Sequence, residues 1–220
     1  MALSKKTNWL DIYIEEGRQV ILIRQKWKYE WLTATKSPWT LQQKRNFHYA
    51  ADNIIWKTWN YRYKVKVKGT SDFAKKHRNT LFTINFDIQW VLNSEHWKVN
   101  VIKILPGSDS PTSGTNWQDR VMYLDTKDTI STYTGKVNGK SYYQLPVAHE
   151  FGHAIGNSYW ALQGSKSVHG DEYSSDSRVN GGFSLDYASI MNIGNGLRNR
   201  HIDYILKELN TMLLNTIFHL

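Results

Sequence analysis

Apolar and polar residues alternate along three stretches of the chain. Trp27, Tyr29 and Trp31 interleave with Lys26, Lys28 and Glu30. Tyr61, Tyr63, Val65 and Val67 interleave with Arg62, Lys64, Lys66 and Lys68. Phe82, Ile84, Phe86, Ile88 and Trp90 interleave with Thr83, Asn85, Asp87 and Gln89. A period of two puts one set on a buried face and the other in water, which predicts strands over residues 20–32, 61–67 and 81–91. Residues 10–15 pair with the first of these across a turn at Glu16-Gly17. Residues 97–105 and 120–125 read as further strands. Helical spacing appears at residues 41–59, after the start signal Ser37-Pro38-Trp39-Thr40, with Phe47, Ala50, Ala51, Ile54 and Thr58 in phase. It returns at 197–214, where Ile202, Ile205, Leu206, Leu209 and Leu213 form one stripe, and residues 145–156 also have helical character. Residues 106–117 read as a loop, 126–144 as a polar stretch turning at Asn138-Gly139, and 157–182 show no period. This order predicts one α+β domain over residues 1–220 with a twisted mixed sheet, in which residues 1–35 form a hairpin extension.

Composition narrows the function classes. The chain of 220 residues has no cysteine and ten tryptophans, and 40% of it is apolar. That content suffices for a core and excludes a mostly disordered chain. Without thiols there are no disulfides, thiolate metal sites or cysteine nucleophiles. The net charge of +9 is uneven: residues 1–80 carry +11 and residues 81–220 carry −2. The alternation at 61–68 assigns much of that excess to solvated strand faces, and no nucleic-acid motif accompanies it, so a nucleic-acid partner is not expected. No apolar run reaches the roughly 20 residues that span a bilayer, and the start of the chain lacks the apolar core of a cleavable signal.

The chemistry is concentrated in His149-Glu150-Phe151-Gly152-His153, an H-E-x-x-H placed on the helix predicted at 145–156. Histidines four apart share a helix face and can bind one zinc ion, and Glu150 between them can take a proton from water attacking a carbonyl. Zinc is therefore the expected cofactor, and a peptide or protein the expected substrate.

Extended to Gly156, the segment resembles the first part of the metzincin signature, H-E-x-x-H-x-x-G-x-x-H/D. Ser189-Ile190-Met191-Asn192 resembles the Met-turn of that clan. Asp171-Glu172-Tyr173, residues 189–194 and Arg198-Asn199-Arg200-His201 resemble pieces of bacterial metallopeptidase domains found in secreted toxins. The resemblance implies a zincin fold with an active-site helix, a Met-turn and a closing C-terminal helix. It also implies an endopeptidase that acts as a toxin or effector, secreted or injected into a target cell without a signal peptide, with a cognate immunity or inhibitor protein or a carrier as partner.

The pattern places its third ligand at position 159, which here is Tyr159, while Asp-Glu-Tyr occurs only at 171–173. An insertion of about a dozen residues, 157–168, accounts for the shift and resembles the leishmanolysin branch. The third ligand is then Asp171 by alignment or His169 by the preference of zinc for imidazole, with Tyr159 a weaker choice. The same resemblance makes Met191 a floor under the metal, Gly156 the point where the helix turns, and Tyr173 a support. His201, Tyr173 and Tyr187 are candidate oxyanion donors, the first set beside Glu150 as catalytic. Arg198 and Arg200 are candidates for holding a substrate carboxylate or for ion pairs with Asp171 or Glu172. The strand at 81–91 is a candidate edge for binding an extended peptide. Competing readings are a peptidoglycan peptidase or amidase, and a non-catalytic module with a structural metal and a basic surface facing nucleic acid.

Overall fold

The hairpin expected near the start of the chain lies inside the sheet. In the computed structural model, which describes residues 3–165 and 168–220, β1 (Leu3–Lys6) pairs antiparallel with β2 (Asp11–Glu15). Strand β2 returns antiparallel along β3 (Val20–Thr33), across a 3-10 turn closed by Gln19 at φ 55°. Strand β3 is central. Its first half pairs parallel with β5 (Phe82–Trp90) and its second half parallel with β6 (Trp97–Lys103). Residues 3–33 are thus integral to the sheet rather than appended to it.

The remaining strands complete a mixed sheet in the order β11–β4–β5–β3–β6–β8–β7, with β4 (Tyr63–Gly69), β7 (Gly114–Asn116), β8 (Val121–Asp125) and β11 (Thr216–His219). Strands β4, β7 and β11 run antiparallel to their neighbours. Tyr63, Val65 and Val67 of β4 are buried while Lys64, Lys66 and Lys68 are exposed, as the alternation requires. Strand β5 pairs with β3 along its length and with β4 over Phe82–Ile84, so the first part of the peptide-binding edge expected at 81–91 is covered. One edge of the sheet belongs to β7, in the stretch read as a loop: Gly-Thr-Asn has no alternating pattern, and it is a strand only through pairing with β8. A separate hairpin, β9 (Thr132–Val137) and β10 (Lys140–Gln144), turns at Asn138-Gly139, both at positive φ.

Helix α1 (Leu41–Trp59) starts in a capping box made by Thr40 and Gln43, which satisfies two backbone donors. It packs on one face of the sheet beside α3 (Pro146–Ala154), and a short α2 (Asp72–His77) packs beneath β4. Trp59, Phe86 and Phe151 meet in edge-to-face contacts at 5.6–6.0 Å between these layers. Gln25 on β3 donates to the Ala154 carbonyl at 2.6 Å and accepts from Trp27 at 3.0 Å, tying the end of α3 to the centre of the sheet.

The closing segment departs from a continuous helix. A 3-10 turn at Asn199–Ile202 leads into α6 (Asp203–Leu209), and Asn210 ends it by hydrogen-bonding both backbone groups of Phe218 in β11. Two single-turn helices, α4 (Tyr159–Leu162) and α5 (Ser177–Asn180), lie in the aperiodic region. Ala161 and Leu162 are buried, so the segment expected as an insertion packs into the fold. Its residues 166 and 167 lie outside the described residues. Among the described residues no helix is long and apolar enough to cross a membrane.

Candidate metal centre

Helix α3 opens with Pro146 at its first turn, where a missing N–H costs nothing, and every residue from Val147 to Ala154 is buried. His149 and His153 lie one turn apart. Each ring is fixed through Nδ1: that of His149 donates to the Ile190 carbonyl and that of His153 to the Asn157 carbonyl, both at 2.6 Å. This leaves both Nε2 atoms as electron-pair donors, 3.1 Å apart. Asp171 Oδ1 sits 2.8 Å from His153 Nε2. The three residues present ligand atoms all within 4.8 Å of one another, so this cluster can hold a metal ion.

The donor set suits zinc. Bonds of about 2.0–2.2 Å in a tetrahedron place neighbouring ligands roughly 3.3–3.6 Å apart, slightly wider than the two spacings made by His153 Nε2, 3.1 Å to His149 Nε2 and 2.8 Å to Asp171 Oδ1. Three converging electron-pair donors repel one another unless a cation sits among them. A proton on His153 can serve: burial opposes it, but the Asp171 carboxylate outweighs burial and lifts the imidazole pKa to about 9. Burial also works against the Asp171 charge, and His153 overrides it, holding that carboxyl well below the usual range. No protein-family model, no curated protein and no solved structure matches this chain, so the reading of the site rests on its geometry.

The chain reaches Asp171 through a sharp exit from α3. Gly156 has φ 112°, and a Cβ there would lie 2.2 Å from Cβ of Tyr204. Asn157 follows, its side chain donating to the carbonyls of Gly152 and His201. Tyr159 starts α4 and is not in the cluster. His169 is not in it either. It is fully buried, with Nε2 3.4 Å from Asp203 Oδ2, and the chain direction that delivers Asp171 to His153 turns His169 towards α6 instead. Of the two, it is Asp171 that the tertiary path brings beside the helix histidines.

Glu150 lies beside the cluster, and its Oε2 accepts from the Thr115 hydroxyl of β7 at 2.8 Å. Thr115 also reaches the Glu150 carbonyl at 3.2 Å. Sequence reasoning missed this residue, because no motif marks it and the strand that carries it has no pattern. Tyr173 stacks on the His149 ring at 6.0 Å and is half-exposed. Burial and the neighbouring Asp171 carboxylate raise its phenol pKa, which keeps it a neutral donor. Tyr187 packs towards Tyr142 instead. Two cavities flank the cluster along β7. One, of about 610 Å³, borders His153 and Asp171 and includes Thr115–Gln118. The other, of about 290 Å³, borders His149, Glu150 and Tyr173 and includes Ser113.

The turn at residues 189–192 forms the floor. Met191 is fully buried, and a Cβ at Gly152 would lie 2.5 Å from its sulfur, so glycine lets the methionine approach the helix face that carries both histidines. Gln144 holds this turn: its amide approaches the carbonyls of Ile190, Asn192 and Gly194 at 2.7, 3.1 and 2.9 Å. Since the Ile190 carbonyl also orients His149, Gln144 acts on this candidate ligand at one remove. Partners of this kind change metal affinity by about 10–100-fold. Gln144→Met, similar in volume but without the donors, is expected to weaken zinc binding by about that factor, read by competition with a chromophoric chelator.

His201 is not at the reacting centre. It is buried beneath the turn, accepting from the Arg198 N–H at Nδ1 and facing Ser189 Oγ at 3.1 Å and Glu172 Oε1 at 3.6 Å through Nε2. Burial keeps it neutral. A catalytic role for His201 is therefore replaced by a structural one. Arg200 pairs with both oxygens of buried Glu172 at 2.6 and 2.8 Å and with Asp186, which also binds Arg198. Both arginines are thereby committed to internal ion pairs. The Glu172 N–H donates to the Met191 carbonyl at 2.9 Å. Asp171-Glu172-Tyr173 thus presents a candidate ligand, a buried anchor to the floor and a ring against His149.

Burial works against the Glu172 charge, but hydrogen bonds from His201, Arg200 and Ser189 outweigh it and hold its pKa at about 2. The folded pKa lies below the unfolded one of about 4.3. The resulting stability is therefore complete above about pH 4.5 and is lost as pH falls through about 2. Roughly 2–4 kcal/mol rides on this group. Denaturant unfolding of the metal-free protein is expected to show that loss, and Glu172→Gln to flatten it.

Proposed function

We propose that this protein is a zinc-dependent endopeptidase of the zincin type. The observation that carries the reading is the convergence of His149, His153 and Asp171 on a cleft, with Glu150 beside them on the same helix. A structural zinc site is closed by four protein ligands, whereas a catalytic one keeps a position open. Here the cluster has three residues and a cavity on either side, which favours catalysis over a binding module.

Zinc held there would supply a Lewis acid that polarises a carbonyl and brings the pKa of water towards neutrality. The chain's own groups do the rest. The free edge of β7 can pair with an extended peptide, laying it across the cluster between the two cavities. Thr115 holds the Glu150 carboxylate in place. Glu150 takes the proton of the attacking water and delivers it to the departing amine nitrogen. Tyr173, neutral and half-exposed beside His149, can donate to the oxygen that becomes negative. The resemblance of Asp171-Glu172-Tyr173 and Arg198-Asn199-Arg200-His201 to toxin domains supports a role as an effector acting on a target cell, where an immunity protein would be its partner.

The test is digestion of a panel of unfolded proteins alongside purified peptidoglycan, with zinc and with chelator. Zinc-dependent cleavage of polypeptides is the expected result. Release of stem-peptide amides alone would move the assignment to a cell-wall hydrolase, and no zinc-dependent cleavage of either would contradict it.

A further inference from the structure

The cavity beside His153 and Asp171 has a wall that catalysis does not require. Trp117, Tyr159, Trp160, Asp176 and Arg178 are among its lining residues. Trp160 is 50% exposed and meets the Tyr159 ring edge-to-face, at 5.2 Å and 83°. An indole left this open beside a cleft presents a large apolar surface to it, and aromatic side chains in pockets are the usual anchors of recognition. Trp117 is 5% exposed, held by Trp9 and Tyr204, and forms a fixed base. The charged groups of the wall neutralise each other: the Arg178 guanidinium makes three contacts with the two Asp176 oxygens at 2.7–3.2 Å. Asp171 belongs to the metal cluster. No free charge remains among the lining residues to select an acidic or basic side chain.

We infer that this cavity is the specificity pocket of the enzyme and takes a bulky aromatic side chain of the substrate, stacked on Trp160. The inference rests on the endopeptidase reading. It adds that the region read from sequence as a patternless insertion carries the selectivity. A ring entering the cavity gains the indole face and the Tyr159 edge, while a small side chain leaves both in water. The volume of about 610 Å³ lies in the range of ligand pockets, so the aromatic residue is accommodated together with its flanking backbone.

The experiment has two arms. The zinc-loaded full chain digests a peptide library whose cleavage sites are sequenced, and Glu150→Gln is titrated with one peptide carrying Phe or Ala at the selected position. Enrichment of Phe, Tyr and Trp at one fixed position near the scissile bond is expected. The Phe-over-Ala ratio in kcat/KM should fall about tenfold in Trp160→Ala and be largely kept in Trp160→Phe. Cleavage without aromatic enrichment, or with a ratio that Trp160→Ala leaves intact, overturns the pocket assignment while the peptidase reading stands. If no library member is cleaved, the peptidase reading fails, and the binding arm decides the pocket. Tighter binding of the Phe peptide, lost in Trp160→Ala, supports it. Equal binding of both peptides, or none, overturns it.

Discussion

Glu150→Gln is expected to reduce peptide hydrolysis by about 10²–10⁴-fold while the chain keeps its fold and its capacity for zinc. The magnitude is that of one positioned general base. The separation of effects follows from the geometry: the His149 and His153 rings are fixed by the Ile190 and Asn157 carbonyls, not by Glu150. An amide fills the same space and can still meet the Thr115 hydroxyl, but it cannot accept the proton of an attacking water. The two quantities to compare are kcat and bound zinc per chain. Loss of zinc along with activity would mean that Glu150 acts on the metal rather than on water, and undiminished turnover would remove the mechanism.

Gly156→Ala is expected to be the most destabilising small substitution near the site, by about 3–5 kcal/mol in denaturant unfolding of the metal-free protein. Two costs combine. The backbone sits at φ 112°, where a side chain is strained by about 1–3 kcal/mol. The new methyl would also lie 2.2 Å from Tyr204 Cβ, a rigid part of a buried residue, and such overpacking costs about 1–3 kcal/mol. Against a typical total of about 5–15 kcal/mol the loss is large. It is also directional, because relief moves the exit of α3 and with it Asn157, the group that orients His153. A variant as stable as the parent would show that the turn at residue 156 does not have this conformation.

How much of this was legible before the fold was known depended on whether the information was local. Helix α1 matches its predicted bounds because a capping box starts it, but its buried stripe is Phe47, Ala51, Ile55 and Trp59, with Ala50, Ile54 and Thr58 of the expected stripe only partly buried. The strands with strict alternation appear close to where expected, except that the one at 61–67 begins at Tyr63, with Tyr61 exposed in a turn at φ 63°. The central role of β3 was hidden, since alternation reveals which residues are buried but not which strands are neighbours. Strand β7 was illegible because Gly114-Thr115-Asn116 has no period, and it took Thr115, the partner of Glu150, with it. The closing helix was overextended because the stripe continues to Leu213, while the side chain of Asn210 pins β11 instead.

The site divides in the same way. His149, Glu150 and His153 depend on spacing along one helix and were readable. Asp171 and His169 are two residues apart and chemically plausible alike, so only the direction of the chain after Gly156 separates them. His201 carries the right chemistry in a suggestive motif, yet it lies beneath the Met191 turn with Ser189 and Glu172. Gln144 was invisible because it acts on residues far away in sequence, the carbonyls of Ile190, Asn192 and Gly194.

Anomalous diffraction at the zinc edge from crystals grown with zinc tests the central claim most directly. A single strong peak is predicted within about 2.0–2.2 Å of His149 Nε2, His153 Nε2 and an Asp171 carboxylate oxygen. A peak at His169 and Asp203, or none between the two helix histidines, would contradict it.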